Sequence, residues 1–314
     1  MTTDPQTLLI EQRERFAFAM REAKRPTGPW IGLLVAIGLF ASLSAVSILV
    51  VLLAQAVPAI AAFAVSADLV VQGVTFIVVW ILLWVWMRFK ERRAFASIGF
   101  REPRRGWVQA VRGFAIGVLA MALIVAIAVG TGNMRFLTLP DGNPFAWAAL
   151  GWVLVAIPVF VIQGGAEELI NRGYLVQTWM PRYGLVSAVI VQAVFFTLAH
   201  SLNPGMSVFS VAALLLVSVL LVFWALSEGS LWGVVAFHAA WNWAQGGLFG
   251  VKVSGNPVEN SLLAVAETDG ANSLISGGEF GLEASVVTLV VLAGMSAVAI
   301  VVYVRGQRRG VAVE

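Results

Sequence analysis

Apolar runs long enough to cross a bilayer recur along the chain at about 30–54, 69–88, 107–130 and 146–168. Four more follow at about 185–202, 207–226, 230–249 and 283–304. Each approaches the roughly 17–25 residues that a membrane helix needs. This pattern predicts an all-α polytopic membrane protein, a bundle of about eight transmembrane helices, because a helix satisfies its own backbone in lipid. Pro58, inside the apolar stretch 30–66, predicts the break between the first two spans. Residues 6–22 predict a helix lying on the membrane surface, anchored by Leu9, Phe16 and Met20, with a solvated tail as the alternative. No internal repeat or low-complexity linker is visible. The expected organisation is an interfacial amino-terminal segment (1–29), one transmembrane domain (30–304) and a short tail (305–314).

Composition agrees with this reading. The chain is 60% hydrophobic and 12% charged, against about 25% charged residues in soluble domains. The net charge of +3 does not imply nucleic acid, because the cations flank the spans, where anionic lipid headgroups are the expected partners. Arg13, Arg15, Arg21, Lys24 and Arg25 precede the first span, and seven more cations lie between Arg88 and Arg105. Arg182, Arg305, Arg308 and Arg309 fall on the same side if eight helices alternate, while the opposite connections hold Arg135 and Lys252. The positive-inside rule then predicts both termini in the cytoplasm of a bacterial- or archaeal-type cell membrane. The absence of cysteine excludes disulfides, thiolate metal sites and a cysteine nucleophile. The first 29 residues do not read as a cleaved signal peptide, being long and mixed in charge.

Ionisable residues inside the apolar runs are few, and each costs about 2.5–3.5 kcal/mol to insert, so they mark function by default. Glu167, Glu168 and Arg172 follow roughly twenty residues without a formal charge. The chain's two histidines, His200 and His238, lie in the fifth and seventh runs, with Asn242 one turn after His238. If the helix carrying Glu167 continues to the turn "MPRYG", Glu167 and His200 both lie on the order of 20–25 Å from that bend, at a common level. Glu168 and Arg172, at i and i+4, can pair on one face. Glu167, about 100° away, is left free for chemistry. Phe196 and His200 repeat the i, i+4 spacing and form an aromatic wall beside a histidine. Gly164, Gly165, Gly246 and Gly247 predict close helix approach. The tryptophans of "WILLWVW" and "HAAWNWAQ" predict lipid-facing or interfacial belts.

A glutamate and a histidine together can take a proton from water and pass it to a leaving amine. A second histidine and an asparagine can donate to the oxyanion of a tetrahedral intermediate. The same groups, with Glu167, Glu168, His200 and His238 as ligands, can instead hold Zn²⁺ with a position open for water. The residues alone leave both versions open, so the expected cofactor is none or Zn²⁺.

"EELINR", "FTLAH" and "HAAWN" fit EExxxR, FxxxH and HxxxN, in order and on separate predicted helices. In this the chain resembles the CPBP intramembrane proteases, which include type II CAAX prenyl endopeptidases and bacteriocin-processing or immunity proteins. The likeness covers about residues 145–245, and "GGEFGLE" (277–283) resembles a segment that follows the third motif in bacterial members. The resemblance implies that Glu167 and His200 activate water, that His238 and Asn242 form the oxyanion site, and that Glu168, Arg172 and Phe196 support them. It implies a membrane-embedded or lipidated peptide substrate, among them prenylated CAAX tails, alongside membrane lipids as the surrounding partners. Members of the family are described both as metalloproteases and as metal-independent glutamate proteases.

Other membrane peptidases fit less well. There is no HExxH and no intramembrane aspartate pair, and a serine dyad through Ser201 or Ser218 leaves the glutamates unexplained. A proton-coupled transporter is the alternative from another class, since Glu and His relays serve carriers too. The lack of repeated halves counts against it. A non-catalytic scaffold is the third reading.

Overall fold

The computed structural model describes residues 5–57, 68–138, 143–258 and 260–311. Among the described residues, nine α-helices of twelve residues or more carry the fold: α1 (Pro5–Ala17), α2 (Pro29–Ala56), α3 (Asp68–Val85), α4 (Pro103–Gly130), α5 (Leu150–Glu168), α6 (Val176–Ala199), α7 (Val208–Glu228), α8 (Trp232–Trp243) and α9 (Val286–Val311). All eight predicted apolar runs fall on helix. The Pro58 break lies outside the described residues. Among the described residues, six helical stretches are long and apolar enough to cross a membrane. The protein is an all-α polytopic membrane protein.

Two departures from eight equal spans have physical causes. Trp147–Ala199 is helical almost throughout, yet Gly184 (φ 79, ψ 175) folds it into two limbs. The positive φ suits glycine, which lacks the Cβ that would clash there. Thirty-three residues of straight helix separating Glu167 from His200 would place them roughly 50 Å apart. They stand 3.8 Å apart instead, so the chain doubles back. The second departure is α8, only 12 residues long and so roughly 18 Å in length. A π-helical turn, Ala244–Leu248, extends it.

This short helix is the hub of the bundle. From Leu231 to Gly247 every residue except Trp232 and His238 is buried, chiefly between α4 and α5. Small residues make room for it, since close backbone approach is how membrane helices gain packing energy. A Cβ at Gly113 of α4 would collide with the Gly233 carbonyl, and one at Gly117 would lie 2.6 Å from the Phe237 carbonyl. A Cβ on Gly164 of α5 would lie 3.2 Å from both the Ala239 nitrogen and the His238 ring, and one on Gly165 would strike the Trp80 ring. On the other side α7 packs against α9, with Phe223 edge-on to Tyr303 at 5.4 Å.

Several polar and aromatic residues lie deeper than sequence position suggests. Trp241 and Trp243 are buried, not lipid-facing, and their indole N–H groups donate to Glu283 (3.2 Å) and the Val153 carbonyl (2.7 Å). Trp80 likewise turns inward, donating to the Ile162 carbonyl at 3.0 Å and stacking on Phe100, whereas Trp84 is exposed. An indole in an apolar core needs a hydrogen-bond acceptor, and helix carbonyls and a carboxylate supply it. Arg93, counted among the headgroup-flanking cations, is buried and bonded to Glu91 (2.6 Å) and Gln177 (2.8 Å). The same Glu91 accepts from Thr27 and Tyr174, tying the end of α3 to the segment before α2 and to the π-helical turn before α6.

The amino-terminal helix also differs from the expectation of a surface anchor. Phe16 and Met20 are buried in the protein core, and Arg13 donates to the Ser227 carbonyl at 2.6 Å. The apolar face of α1 covers the ends of α7 and α6 rather than lipid. At the opposite end of α4, β1 (Met134–Leu137) pairs antiparallel with β2 (Ala264–Glu267), Met134 opposite Glu267.

The tight α4–α8 contact gives a stability prediction. Gly113→Ala forces a methyl against the Gly233 backbone, and overpacking of this kind costs about 1–3 kcal/mol. Gly151→Ala, where a Cβ meets nothing within 4 Å, is the control and is expected within about 0.5 kcal/mol of the parent. Thermal unfolding in detergent measures both. Equal unfolding temperatures for the two variants would contradict the assigned packing.

Candidate functional site

A cavity of about 490 Å³ opens among α2, α3, α5, α6, α7, α8 and the start of α9. Its wall is largely aliphatic and aromatic, with one polar cluster, the usual make-up of a binding site. Glu167, His200, His238 and Asn242 all line it. Three separate helices supply them: α5 carries the glutamate, the end of α6 the first histidine, and α8 the second histidine and the asparagine.

Glu167 is the meeting point. The Nε2 atoms of His200 and His238 each lie 3.8 Å from its Oε2. That oxygen is buried and makes no hydrogen bond among the described residues. The opposite ring nitrogens are already committed. His200 Nδ1 sits 2.8 Å from the Phe196 carbonyl, which can only accept, so Nδ1 carries the proton. His238 Nδ1 sits 2.8 Å from Glu168 Oε1 and donates to that carboxylate. In their neutral forms both histidines therefore turn an Nε2 lone pair toward the Glu167 carboxylate. Three acceptors converge on one gap, which calls for a proton-bearing group or a cation.

Behind this cluster lies a dry ion pair. Glu168 and Arg172 are both 0% exposed, joined at 2.9 Å, whereas the side chains of Glu167, His200 and His238 keep 11–16% exposure. The cavity-facing groups are reachable by water and the supporting pair is not. Arg172 also bonds Ser218 at 3.2 Å and lies over the Phe196 ring at 4.5 Å. Phe196 in turn packs on His200 with a centroid separation of 4.6 Å. It separates the guanidinium from the cavity and steadies the imidazole.

The helix changes pitch where the pair sits. Leu169–Leu175 form a π-helical turn, a feature that frequently marks functional positions. The Asn171 amide donates to the Glu167 carbonyl at 2.8 Å. Asn242 is buried and lines the cavity, and its side-chain amide has no hydrogen-bond partner among the described residues, leaving its N–H groups available to a ligand. Glu283 and Asn171 line the cavity too. Sequence reading had not assigned either one a place there. A carboxylate at the start of the last apolar run was the available signal for Glu283. Asn171 could not be foreseen without the π-turn.

Two imidazoles and a carboxylate are donors that zinc accepts. Their spacing is wide for it. Ligands at about 2.0–2.1 Å around a tetrahedral ion stand roughly 3.3 Å apart, against 3.8 Å here. Among the described residues no group of three or more His, Asp or Glu is placed to hold a metal. Glu168, with Oε1 shared between Arg172 and His238, faces away from the gap. As placed, these groups do not close around a zinc ion.

An all-α membrane bundle with a buried Glu–His–His–Asn cluster defines the class of protein. Residues 147–244 match the family model described as Rce1-like, type II CAAX prenyl endopeptidase. That stretch is about a third of the chain and holds all three motifs, so over this region the likeness to the CPBP proteases stands. At family level the match supports a CAAX-type intramembrane protease. No curated protein and no solved structure matches the chain.

The buried pair yields a prediction. Arg172→Met strands the Glu168 carboxylate in an apolar interior, and breaking a buried pair in this way costs about 3–5 kcal/mol. Glu168→Gln combined with Arg172→Met removes the stranded charge and keeps an acceptor for His238 Nδ1. Most of the lost thermal stability is expected to return in the double variant. A double variant no more stable than Arg172→Met alone would refute the assignment.

Proposed function

We propose that the chain is an intramembrane endopeptidase that hydrolyses a peptide bond of a membrane-associated substrate with water activated by Glu167 and His200. The observation that carries this is the buried, unbonded Glu167 Oε2 with an imidazole Nε2 3.8 Å away on either side. The Glu167 Oε2 and His200 Nε2 are close enough to share one bridging water, and both residues line the cavity.

In this reading the Glu167 carboxylate takes a proton from the water as its oxygen attacks the substrate carbonyl carbon. The His200 Nε2 lone pair accepts the water's second hydrogen and fixes the direction of attack. The carbonyl oxygen becomes an oxyanion facing the Asn242 amide, whose free N–H donates to it. His238, carrying a second proton, donates from Nε2 to the same oxygen. Collapse of the tetrahedral intermediate breaks the C–N bond, and Glu167 returns its proton to the departing amine. Glu168 takes no part in the proton transfers, its Oε1 held by Arg172 and by His238 Nδ1–H. Its role is to fix the ring of His238, as the third group does in other catalytic triads.

The apolar wall of the cavity supports a membrane-embedded or lipidated peptide as substrate. A prenylated CAAX peptide is the first probe, given the family match.

The test is cleavage of prenylated CAAX peptides and of transmembrane peptides by purified protein in lipid. Glu167→Gln, His200→Ala and His238→Ala are each expected to abolish cleavage while the protein still folds, and Glu167→Gln should still bind substrate. Asn242→Ala is expected to lower kcat by about 10²–10³, the usual loss for one oxyanion donor. Full activity in Glu167→Gln would overturn the mechanism. Stoichiometric zinc with activity lost on chelation would replace the water-activating pair by a metal centre. Transport of a solute that Glu167→Gln stops, without any cleavage, would favour a carrier.

A further inference from the structure

The mechanism leaves one cavity-facing carboxylate unused. Glu283 lies in a short 3₁₀ turn, Leu282–Ala284, just before α9. Both of its oxygens are engaged. Oε1 accepts from the indole N–H of Trp241 at 3.2 Å, and Oε2 accepts from the backbone N–H and the hydroxyl of Ser254 at 2.6 and 2.9 Å. Three donors from two distant segments of chain converge on one carboxylate.

Each of those segments leads directly to a residue of the proposed reaction. Trp241 precedes Asn242 on α8. The Ser254 carbonyl accepts from the Asn203 amide at 3.0 Å, and the Asn203 backbone N–H donates to the His200 carbonyl at 2.9 Å. The contacts therefore run from His200 through Asn203 and Ser254 to Glu283, and on through Trp241 to Asn242. Glu283 links the end of the helix that carries the water-activating histidine to the helix that carries the oxyanion donor.

The backbone around it is built for this closure. Ser254 has φ 47, a left-handed conformation that a residue with a side chain keeps only when its surroundings hold it there. The two bonds to Glu283 do so. The three segments meet backbone to backbone: the Gly255 N–H donates to the Phe280 carbonyl at 2.9 Å, a Cβ on Gly255 would collide with the Pro204 carbonyl, and one on Gly205 would collide with the Phe280 amide. Within "GGEFGLE" itself, a Cβ on Gly281 would lie 2.7 Å from the Lys252 carbonyl and one on Gly277 would collide with the Gly281 carbonyl, so the segment gains a physical reason for these glycines and for its final acid.

We propose that Glu283 is a positioning residue of the peptidase site, a clasp that holds His200 and Asn242 in register across the cavity. This rests on the peptidase reading for its effect on rate, though not for the clasp itself. Glutamine cannot substitute. It offers one acceptor oxygen where two are used, so its NH2 would face a donor, either the Ser254 N–H or the Trp241 indole N–H.

The experiment compares wild type, Glu283→Gln and Trp241→Phe by hydrogen–deuterium exchange and by cleavage kinetics. Loss of the clasp is expected to raise exchange in segments 200–206 and 251–257 of Glu283→Gln by at least about tenfold, since amide protection reports local opening. It is expected to lower kcat by about 10–100-fold, the usual effect of removing an outer positioning group, with KM within about twofold. Trp241→Phe, which keeps the ring and loses one donor, should lower kcat less and leave segment 251–257 protected. Unchanged exchange in Glu283→Gln would overturn the clasp, whatever the activity. Raised exchange with an unaltered kcat would overturn its positioning role, as would kcat and KM falling together with unfolding temperature. A wild type that cuts no peptide would count against the peptidase reading alone, and exchange would still decide the clasp.

Discussion

A charge buried in the middle of a membrane protein must be answered by another, and in this fold the Glu168–Arg172 pair sets that constraint. Both side chains are 0% exposed, so neither can lean on water, and each is tolerated only because the other is in place. The pair alone would be a structural detail. Glu168 Oε1 also receives His238 Nδ1–H, and the Arg172 guanidinium covers the face of Phe196, which packs on His200. The orientation of both imidazoles therefore descends from one ion pair on one turn of α5 and its π-helical continuation. In an apolar interior these interactions are stronger than in water and costly to leave half made.

Placing that turn correctly depends on how closely the helices approach. The cluster exists because α8 enters the bundle as a short, nearly fully buried helix, and it can do so because α4 and α5 present glycines to it. Gly164 lies one helical turn before Glu168, and a Cβ there would lie 3.2 Å from the His238 ring. A side chain at that position would push α8 outward and lengthen the 2.8 Å bond between His238 and Glu168. Packing and chemistry meet here in the same residues, which is expected where membrane helices associate through small residues and interhelical polar contacts.

Much of this was legible in the sequence. Apolar runs located the helices, because backbone satisfaction in lipid leaves few alternatives. The scarcity of ionisable residues within them singled out Glu167, Glu168, Arg172, His200 and His238, which the structure brings together with Asn242. The i, i+4 spacing gave the Glu168–Arg172 pair directly. Less could be read where tertiary contacts decide. Trp241 and Trp243 have the composition of an interfacial belt, yet buried acceptors at Glu283 and Val153 draw them inward. Arg93 looks like a headgroup ligand and is instead held by Glu91. The π-turn at Leu169–Leu175 has no local signature, since nothing in "LINRGYL" requires wider pitch. Glu283 lies over forty residues from its nearest partner in the site other than Ser254, beyond the reach of any periodicity argument.

The arrangement also explains why the site holds two adjacent glutamates rather than one. A carboxylate that fixes a histidine must stay ionised and dry, while a carboxylate that takes a proton from water must be reachable and free of strong partners. One side chain cannot meet both demands. Successive residues on a helix point about 100° apart, so neighbouring positions separate the two tasks: Glu168 faces the protein, its Oε1 held by Arg172 and His238, and Glu167 faces the cavity with its Oε2 unbonded. The two histidines divide in the same manner. His238 leans on a charged carboxylate and His200 on a neutral backbone carbonyl, so the same ring is given two different electrostatic settings a few ångströms apart. That difference supports the proposed division of labour, with water activation at His200 and oxyanion donation at His238.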